Sequence, residues 1–414
     1  MGLNFLGDKS PSRDNLVNRI LLTLGIILFA RLGTFIPLTG IDQKYLYTEL
    51  QNSPILNFFS SFSQGDFFVL GPFTLGILPN INASISMQLL TAVLPFLQKL
   101  QKEEGVTGQK KVTQYTRYLT VVIAFIYGCL IAFFLKPFVF GWNLVRAVEI
   151  ALTLTTGSII ILWLSELITE KGIGNGTSLF IFVNISSALP KTLNNFAVLV
   201  PTLPLKLGIG FIFAIGLLSI VVVQGALRKI DLLSVKSLLR ESSNSQSSYL
   251  PFRLNPSGIM PLIFSSGLLN VLIVGINKIS LLQGLANFSN LIYTSGYFIL
   301  TLFFSYFYST IAIKPSDLSD NLKKMNFTIP GVQPGLATMR FLQETLTRLA
   351  LLGGLFLAII VTIPSLLAFV NPAIKGFGIT SLIILVGVAV DLSRQIRFYL
   401  ISAVSYTHLT LPTN

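Results

Sequence analysis

Stretches of about twenty mostly apolar residues recur along this chain from one end to the other, and no other feature constrains its fold as strongly. That length carries a helix across the hydrocarbon of a bilayer. Lipid offers a backbone amide no partner, so only helices and closed barrels can span it. The stretches are continuous rather than alternating, which selects helices. Of the 414 residues, 52% are hydrophobic and only 11% are charged, whereas a soluble domain is about one quarter charged. The chain reads as an all-α membrane protein with ten transmembrane helices. Their approximate cores are Leu16–Phe35, Gly76–Phe96, Tyr118–Leu135, Leu144–Ile168, Gly176–Leu189, Leu207–Ala226, Gly258–Ile276, Leu291–Ile313, Arg348–Val370 and Phe377–Ile396. No cleavable signal peptide is evident before the first.

Charge orients the bundle. With the N-terminus on the side of synthesis, 21 of the 29 Lys and Arg residues fall on that side, seven fall opposite, and Arg31 lies within the first span. The asymmetry places both termini inside. The net charge of +13 is largely this bias; the basic loops also suit an acidic or polyanionic partner.

Much chemistry is excluded. A single cysteine, Cys129, and a single histidine, His408, leave no metal cluster and no Ser–His–Asp set. There is no phosphate-binding glycine loop. The chain is read as a non-enzyme with no cofactor. Its spans carry few mid-membrane acids, so an ion or proton relay has little support. A secondary transporter for a small solute stays as the rival reading, and would need a compact polar site at the midplane.

GILPNI at Gly76–Ile81 is echoed by GIMPLI at Gly258–Ile263, opening the second and seventh spans. Five spans per half would reverse the second half in the membrane, giving two inverted five-helix halves with a site between them. In each copy two isoleucines lie four apart, Ile77 with Ile81 and Ile259 with Ile263, on one helical face. A proline between them is expected to bend each helix. Ser84 and Gln88 continue the first face, so polar groups above an aliphatic constriction suit a water-filled funnel.

Long stretches, in order, carry a resemblance: LGILPNINASISMQLL, QKEEGVTGQKKVTQYTRY, SELITEKGIGNGTSLFIF, LPFRLNPSGIMPLIF, KPSDLSDNLKKMNFTIPGVQPG, TRLALLGG and GFGITSLIILVGVAVD. They are similar to the SecY family, the central subunits of protein-translocation channels, over roughly residues 10–397. The resemblance implies a clamshell of two halves, 1–190 and 191–397, around an hourglass pore, followed by an atypical tail, 398–414, that need not be native. It implies a pore ring of Ile77, Ile81, Ile181, Ile263 and Ile384. Thr177 stands where the family often has isoleucine, making the waist more polar or wider. The segment 52–66, with Pro54, Ile55, Leu56, Phe58, Phe59 and Phe62, matches the family's plug. Gln88 and Asn270 are candidates for a lateral gate through which apolar segments pass into membrane lipid; a local hydrogen bond is the alternative for each.

Arg228, Lys229, Arg253, Lys323, Lys324 and Arg340 fall in loops that in the family dock a ribosome or the SecA motor ATPase. Gln333 replaces an arginine common in the family. Further implied partners are a SecE-type small membrane subunit, signal-sequence-bearing polypeptides and, as a further candidate, a SecG-like subunit. The resemblance leans to the plastid branch, hence a thylakoid membrane, with a bacterial plasma membrane as the alternative.

Overall fold

A computed structural model describes residues 13–42, 70–103, 105–199, 203–234, 248–256, 258, 260–262, 264–265, 268–269, 289–312, 315–370 and 384–397. In chain order the helices are α1 (Arg13–Gly33), α2 (Leu78–Val93), α3 (Pro95–Glu103), α4 (Gly105–Phe134), α5 (Leu144–Lys171), α6 (Gly176–Leu199) and α7 (Leu203–Gly225). Strands β1 (Leu227–Ser234) and β2 (Ser248–Arg253) follow, then α8 (Ser289–Ala312), α9 (Pro315–Lys324), β3 (Phe327–Thr328) and α10 (Leu336–Val370). A last helix, α11, covers 384–397. Eight of the ten expected spans fall on these helices, Gly76–Phe96 being divided between α2 and α3. Gly258–Ile276 and Phe377–Ile396 are described only in part, the first helical at 260–262, 264–265 and 268–269 and the second at 384–396. Among the described residues, four helices are long and apolar enough to cross a membrane.

The chain divides into two compact units, 1–190 with 391–414, and 191–390. In the first, α5 is the central post. Asn143 caps its start by accepting from the Leu144 amide at 2.7 Å. Its buried residues, among them Ile150, Leu154, Ile161, Leu164 and Ile168, recur every three or four positions. Helices in lipid gain little from hydrophobicity against one another, so close backbone approach must do that work. A Cβ on Gly128 of α4 would sit 2.8 Å from the Ala151 carbonyl oxygen of α5. A Cβ on Gly157 would run into the carbonyl of Pro72, which begins a 3-10 turn over Pro72–Leu75. One end of this unit is sealed by Leu38, Leu75, Ile131, Leu135, Ile150 and Leu154. Nearer the other end, the Arg117 guanidinium donates to Glu166 at 2.8 Å.

In the second unit α8 lies against α10, with Gly354 leaving room for Ser305. Ile220, Leu262, Leu269, Tyr297, Leu357 and Val361 form its membrane-level core. Beyond it, β1 pairs antiparallel with β2 (Ile230↔Leu250) and with β3 (Leu233↔Thr328). This sheet was not foreseen. Ile230, Leu232 and Phe252 face inward from it onto Leu322 of α9 and Leu342, Leu346 and Leu349 of α10. The same packing explains why the ninth span's helix begins at Leu336 rather than Arg348: its first turns are held by the sheet rather than by lipid. Likewise α4 starts at Gly105, well before Tyr118.

Gly157→Ala should lower the thermal midpoint of the detergent-solubilised protein, since the new methyl meets the Pro72 carbonyl; overpacking of this kind costs about 1–3 kcal/mol. Gly208→Ala, with nothing within 4 Å of its added Cβ, should leave the midpoint unchanged or raise it.

Candidate functional site

The start of α2 is built as a fixed turn. Gly71 donates to the Thr74 hydroxyl at 2.9 Å, the 3-10 turn follows, and Gly76 then takes φ +52°, a region open to glycine. The helix begins at Leu78, so Pro79 occupies its second position. The expected bend at Pro79 is therefore corrected: its missing N–H falls where no intrahelical partner exists, and the ring starts the helix instead of kinking it. The Ser158 hydroxyl of α5 donates to the Gly76 carbonyl at 3.1 Å. The echo repeats this construction. Gly258 has φ +64°, helix follows at 260–262 with Pro261 in it, and the Asn255 amide donates to the Gly258 carbonyl at 2.8 Å.

Ile77, Ile81 and Ile181 are 3%, 6% and 5% exposed in the first unit, and Ile384 is 2% exposed in the second. Ile77 and Ile81 stand one turn apart, joined by the Ile81 N–H to Ile77 carbonyl bond at 3.2 Å. Ile181 lies one turn beyond Thr177 on α6, and the start of that helix is closely held. Asn175 accepts from the Thr177 amide at 3.0 Å, the Gly176 amide donates to the Thr169 hydroxyl at 2.9 Å, and a Cβ on Gly176 would strike the Ser165 carbonyl. Just before it, the Ile173 amide donates to Thr23 of α1 at 3.1 Å. The Thr177 hydroxyl lies 3.1 Å from that of Ser165, so its polarity is engaged with α5. Ile263, Asn270 and the expected plug (Pro54, Ile55, Leu56, Phe58, Phe59 and Phe62) lie outside the described residues, as does the tail.

The polar residues of α2 divide in a way the sequence did not reveal. Gln88 is exposed and Ser84 half-buried, but Asn82 donates to the Tyr127 hydroxyl of α4 at 2.8 Å. Asn80 is buried with its carbonyl oxygen 3.4 Å from Thr120. The single Thr120 proton has a better acceptor, the Thr116 carbonyl at 2.8 Å, so Asn82–Tyr127 is the stronger tie. These two asparagines face a neighbouring helix, a role that Ser84 and Gln88, the residues expected to line a funnel, do not share. A buried amide needs a partner, and inside a bundle the nearest one is another helix. Both Tyr127 and Ser158 escaped sequence reasoning. For Tyr127 the available signal was a lone hydroxyl in an otherwise apolar run, which in lipid must bond something.

The expected docking residues are brought onto one folded body. Arg228 and Lys229 lie on β1, and Arg253 closes β2 opposite Leu227. Lys323 and Lys324 end α9, where they complement the helix dipole, and Arg340 is in the second turn of α10. All six are exposed around the shared apolar core. The Lys229 ammonium lies 4.8 Å from the centre of the Tyr249 ring on the outward face of the sheet. Gln333 is exposed, with its carbonyl accepting from Thr338 at 2.8 Å.

A family model described as SecY matches residues 72–393. The chain is 44% identical over 409 residues to "Protein translocase subunit SecY" of Guillardia theta, covering 95% of this chain and 97% of that one. It is 45% identical over 400 residues to the protein of the same description from Pyropia yezoensis (94% and 97%). Identity is 40% over 409 residues with that of Synechococcus elongatus (94% and 93%). In fold it resembles a structure described as "The structure of a protein conducting channel", with TM-score 0.65, 17% identity and coverage of 100% and 98%. It also resembles "Sec61 in the Canine ribosome-channel complex from the endoplasmic reticulum", with TM-score 0.63, 17% identity and coverage of 99% and 98%.

Leu342→Ala should open a cavity where sheet and α10 meet, because Leu342 is fully buried. A loss of about 2–5 kcal/mol is expected there, seen as faster trypsin cleavage after Lys229 and Arg253.

Proposed function

Because this chain belongs to the SecY family, we propose that it is a protein-conducting channel, passing unfolded polypeptides across a membrane and releasing apolar segments sideways into lipid. The observation that carries the reading is the paired isoleucines Ile77 and Ile81, shielded from water and aimed by a turn that the echo rebuilds at Gly258. A translocating chain varies at every residue, so the pore cannot recognise it by fixed hydrogen bonds. Branched aliphatic side chains close around any side chain without binding it, and at rest they form a dry constriction that gates by excluding water.

In this proposal the two halves, 1–190 and 191–397, meet at a ring of Ile77, Ile81, Ile181, Ile263 and Ile384. The segment 52–66 stoppers the outer funnel, and Gln88 and Asn270 border the side exit. The exposure of Gln88 supports that position. With a hydroxyl already engaged by Ser165, Thr177 contributes little polarity to the waist.

Directionality must come from a partner, since the chain contains no phosphate-binding loop. Arg228, Lys229, Arg253, Lys323, Lys324 and Arg340 form the docking face for a ribosome or a SecA-type motor, with a SecE-type subunit completing the membrane complex. Gln333 removes one cation from that face and weakens the hold on an acidic partner. Similarity to algal and cyanobacterial relatives supports a thylakoid membrane as the site of action. The solute-transporter alternative needs a midplane polar site; the Asn82 amide of α2 is instead tied to Tyr127 of α4.

A photocrosslinker at Ile81 or Ile263 should capture a secretory chain arrested in transit, and absence of such adducts would count against the channel. Ile384→Asn should raise ion leak and admit chains with defective signals, measured by conductance and by transport of signal mutants. Arg253→Glu combined with Arg340→Glu should weaken motor or ribosome binding at least tenfold, with the loss growing as salt falls.

A further inference from the structure

We propose that Ser158 and Asn184 are positioning residues: they hold the Gly76 turn against α5 and α6 and so set the height of Ile77 relative to Ile181. The contacts stand on geometry alone; their part in sealing rests on the reading of those isoleucines as members of the pore ring.

α5 and α6 follow one another across the short turn 172–175 and run antiparallel. A first rung joins them where the Ser165 and Thr177 hydroxyls lie 3.1 Å apart. It has no room to slip, because a Cβ on Gly176 would strike the Ser165 carbonyl and the Gly176 amide is bonded to Thr169 at 2.9 Å. Seven residues back along α5 stands Ser158, and seven onward along α6 stands Asn184. Seven residues are nearly two whole turns, about 10 Å of rise, so both return to the faces and the common level of a second rung. Gly76 occupies that level. The Ser158 hydroxyl donates to its carbonyl at 3.1 Å. From α6, the Asn184 amide nitrogen lies 3.8 Å from where a Gly76 Cβ would stand. Two contacts from different helices thus agree on where the turn sits. Ser158 is buried and Asn184 half-buried, so neither is an ordinary surface group.

Ile77 follows Gly76 directly, and Ile181 precedes Asn184 by three residues, about 4.5 Å of rise along α6. The two isoleucines are thereby held within one helical turn of each other in height. In lipid, polar contacts and close backbone approach decide how helices register, since hydrophobicity does not. A turn released by Ser158 and Asn184 is free to ride along the two helices, carrying Ile77 out of level with Ile181.

The test uses the full chain with its partner subunits in lipid vesicles, with Cys129→Ser removing the native thiol. Ile181→Cys is combined with Ile77→Cys or with Ile81→Cys, and the yields of a short thiol-to-thiol crosslinker are compared. Ser158→Ala removes the hydroxyl; Asn184→Leu keeps the bulk and removes the amide. Each should shift the ratio of the two crosslinks by about threefold, the factor expected for one interhelical polar contact, and the two together by more. With the isoleucines intact, each should also raise closed-channel ion leak. A merely structural role would lower the melting temperature and leave ratio and leak unmoved. Ile81→Asn serves as the control that opens the waist directly. If it leaks while either readout stays parental in both variants, the positioning role is overturned and the pore reading stands. If Ile81→Asn seals, the pore reading falls, and the sealing role of Ser158 and Asn184 falls with it.

Discussion

Lipid gives a polar group nothing to bond, and the architecture of this chain follows from that restriction. Among the described residues, no buried side-chain nitrogen or oxygen lacks a hydrogen-bond partner. The solutions are of two kinds. Hydroxyls turn back on their own helix, as Thr155 does to the Ala151 carbonyl at 2.7 Å and Ser265 to that of Pro261 at 2.6 Å. Other groups cross between helices, as at Ser158–Gly76, Thr23–Ile173 and Asn82–Tyr127. The second kind does more than satisfy valence. Because lipid does not push helices together, such crossings and the glycine contacts at Gly128, Gly157 and Gly176 decide which helices touch and at what rotation.

The part of the fold governed by this restriction was legible in the sequence. The positions of the spans follow from apolar length, and the described helices cover them, although α4 and α10 begin well before the apolar cores. The loops were not legible by the same rule. LRKIDLLS and SYLPFR are short and mixed in character, and a strand of that kind is recognised only by its partner. That partner included Phe327–Thr328, far along the chain. The prolines show a subtler limit. A proline within an apolar run reads as a kink, yet the same residue at the second helical position is a start signal. Only the left-handed glycine before it, at Gly76 and Gly258, distinguishes the two cases, and φ is not written in the residue letters.

For the site, residue types were readable where function asks for a chemical class, and not where it asks for geometry. The paired isoleucines, the basic loops and the echo were all readable from residue type and spacing. The role of Asn82 did not, since an asparagine near a constriction can wet a vestibule or tie two helices, and the decision depends on what stands opposite. Tyr127 stands opposite, 45 positions away. The two regions also rest on different forces. Membrane-level contacts depend on small residues and shared hydrogen bonds, whereas the body around Ile230, Phe252 and Leu342 is an ordinary water-driven apolar core that carries its cations outward.

That body has a consequence for biogenesis. Its middle strand closes against residues made some ninety-five positions later, Leu233 beside Thr328, and its core is completed only by Leu342 and Leu346. A nascent copy therefore has no finished cationic platform until α8 and α9 have emerged and the start of α10 has been made. In the docking role proposed for this body, that order leaves an incomplete subunit without a finished surface for its driving partner.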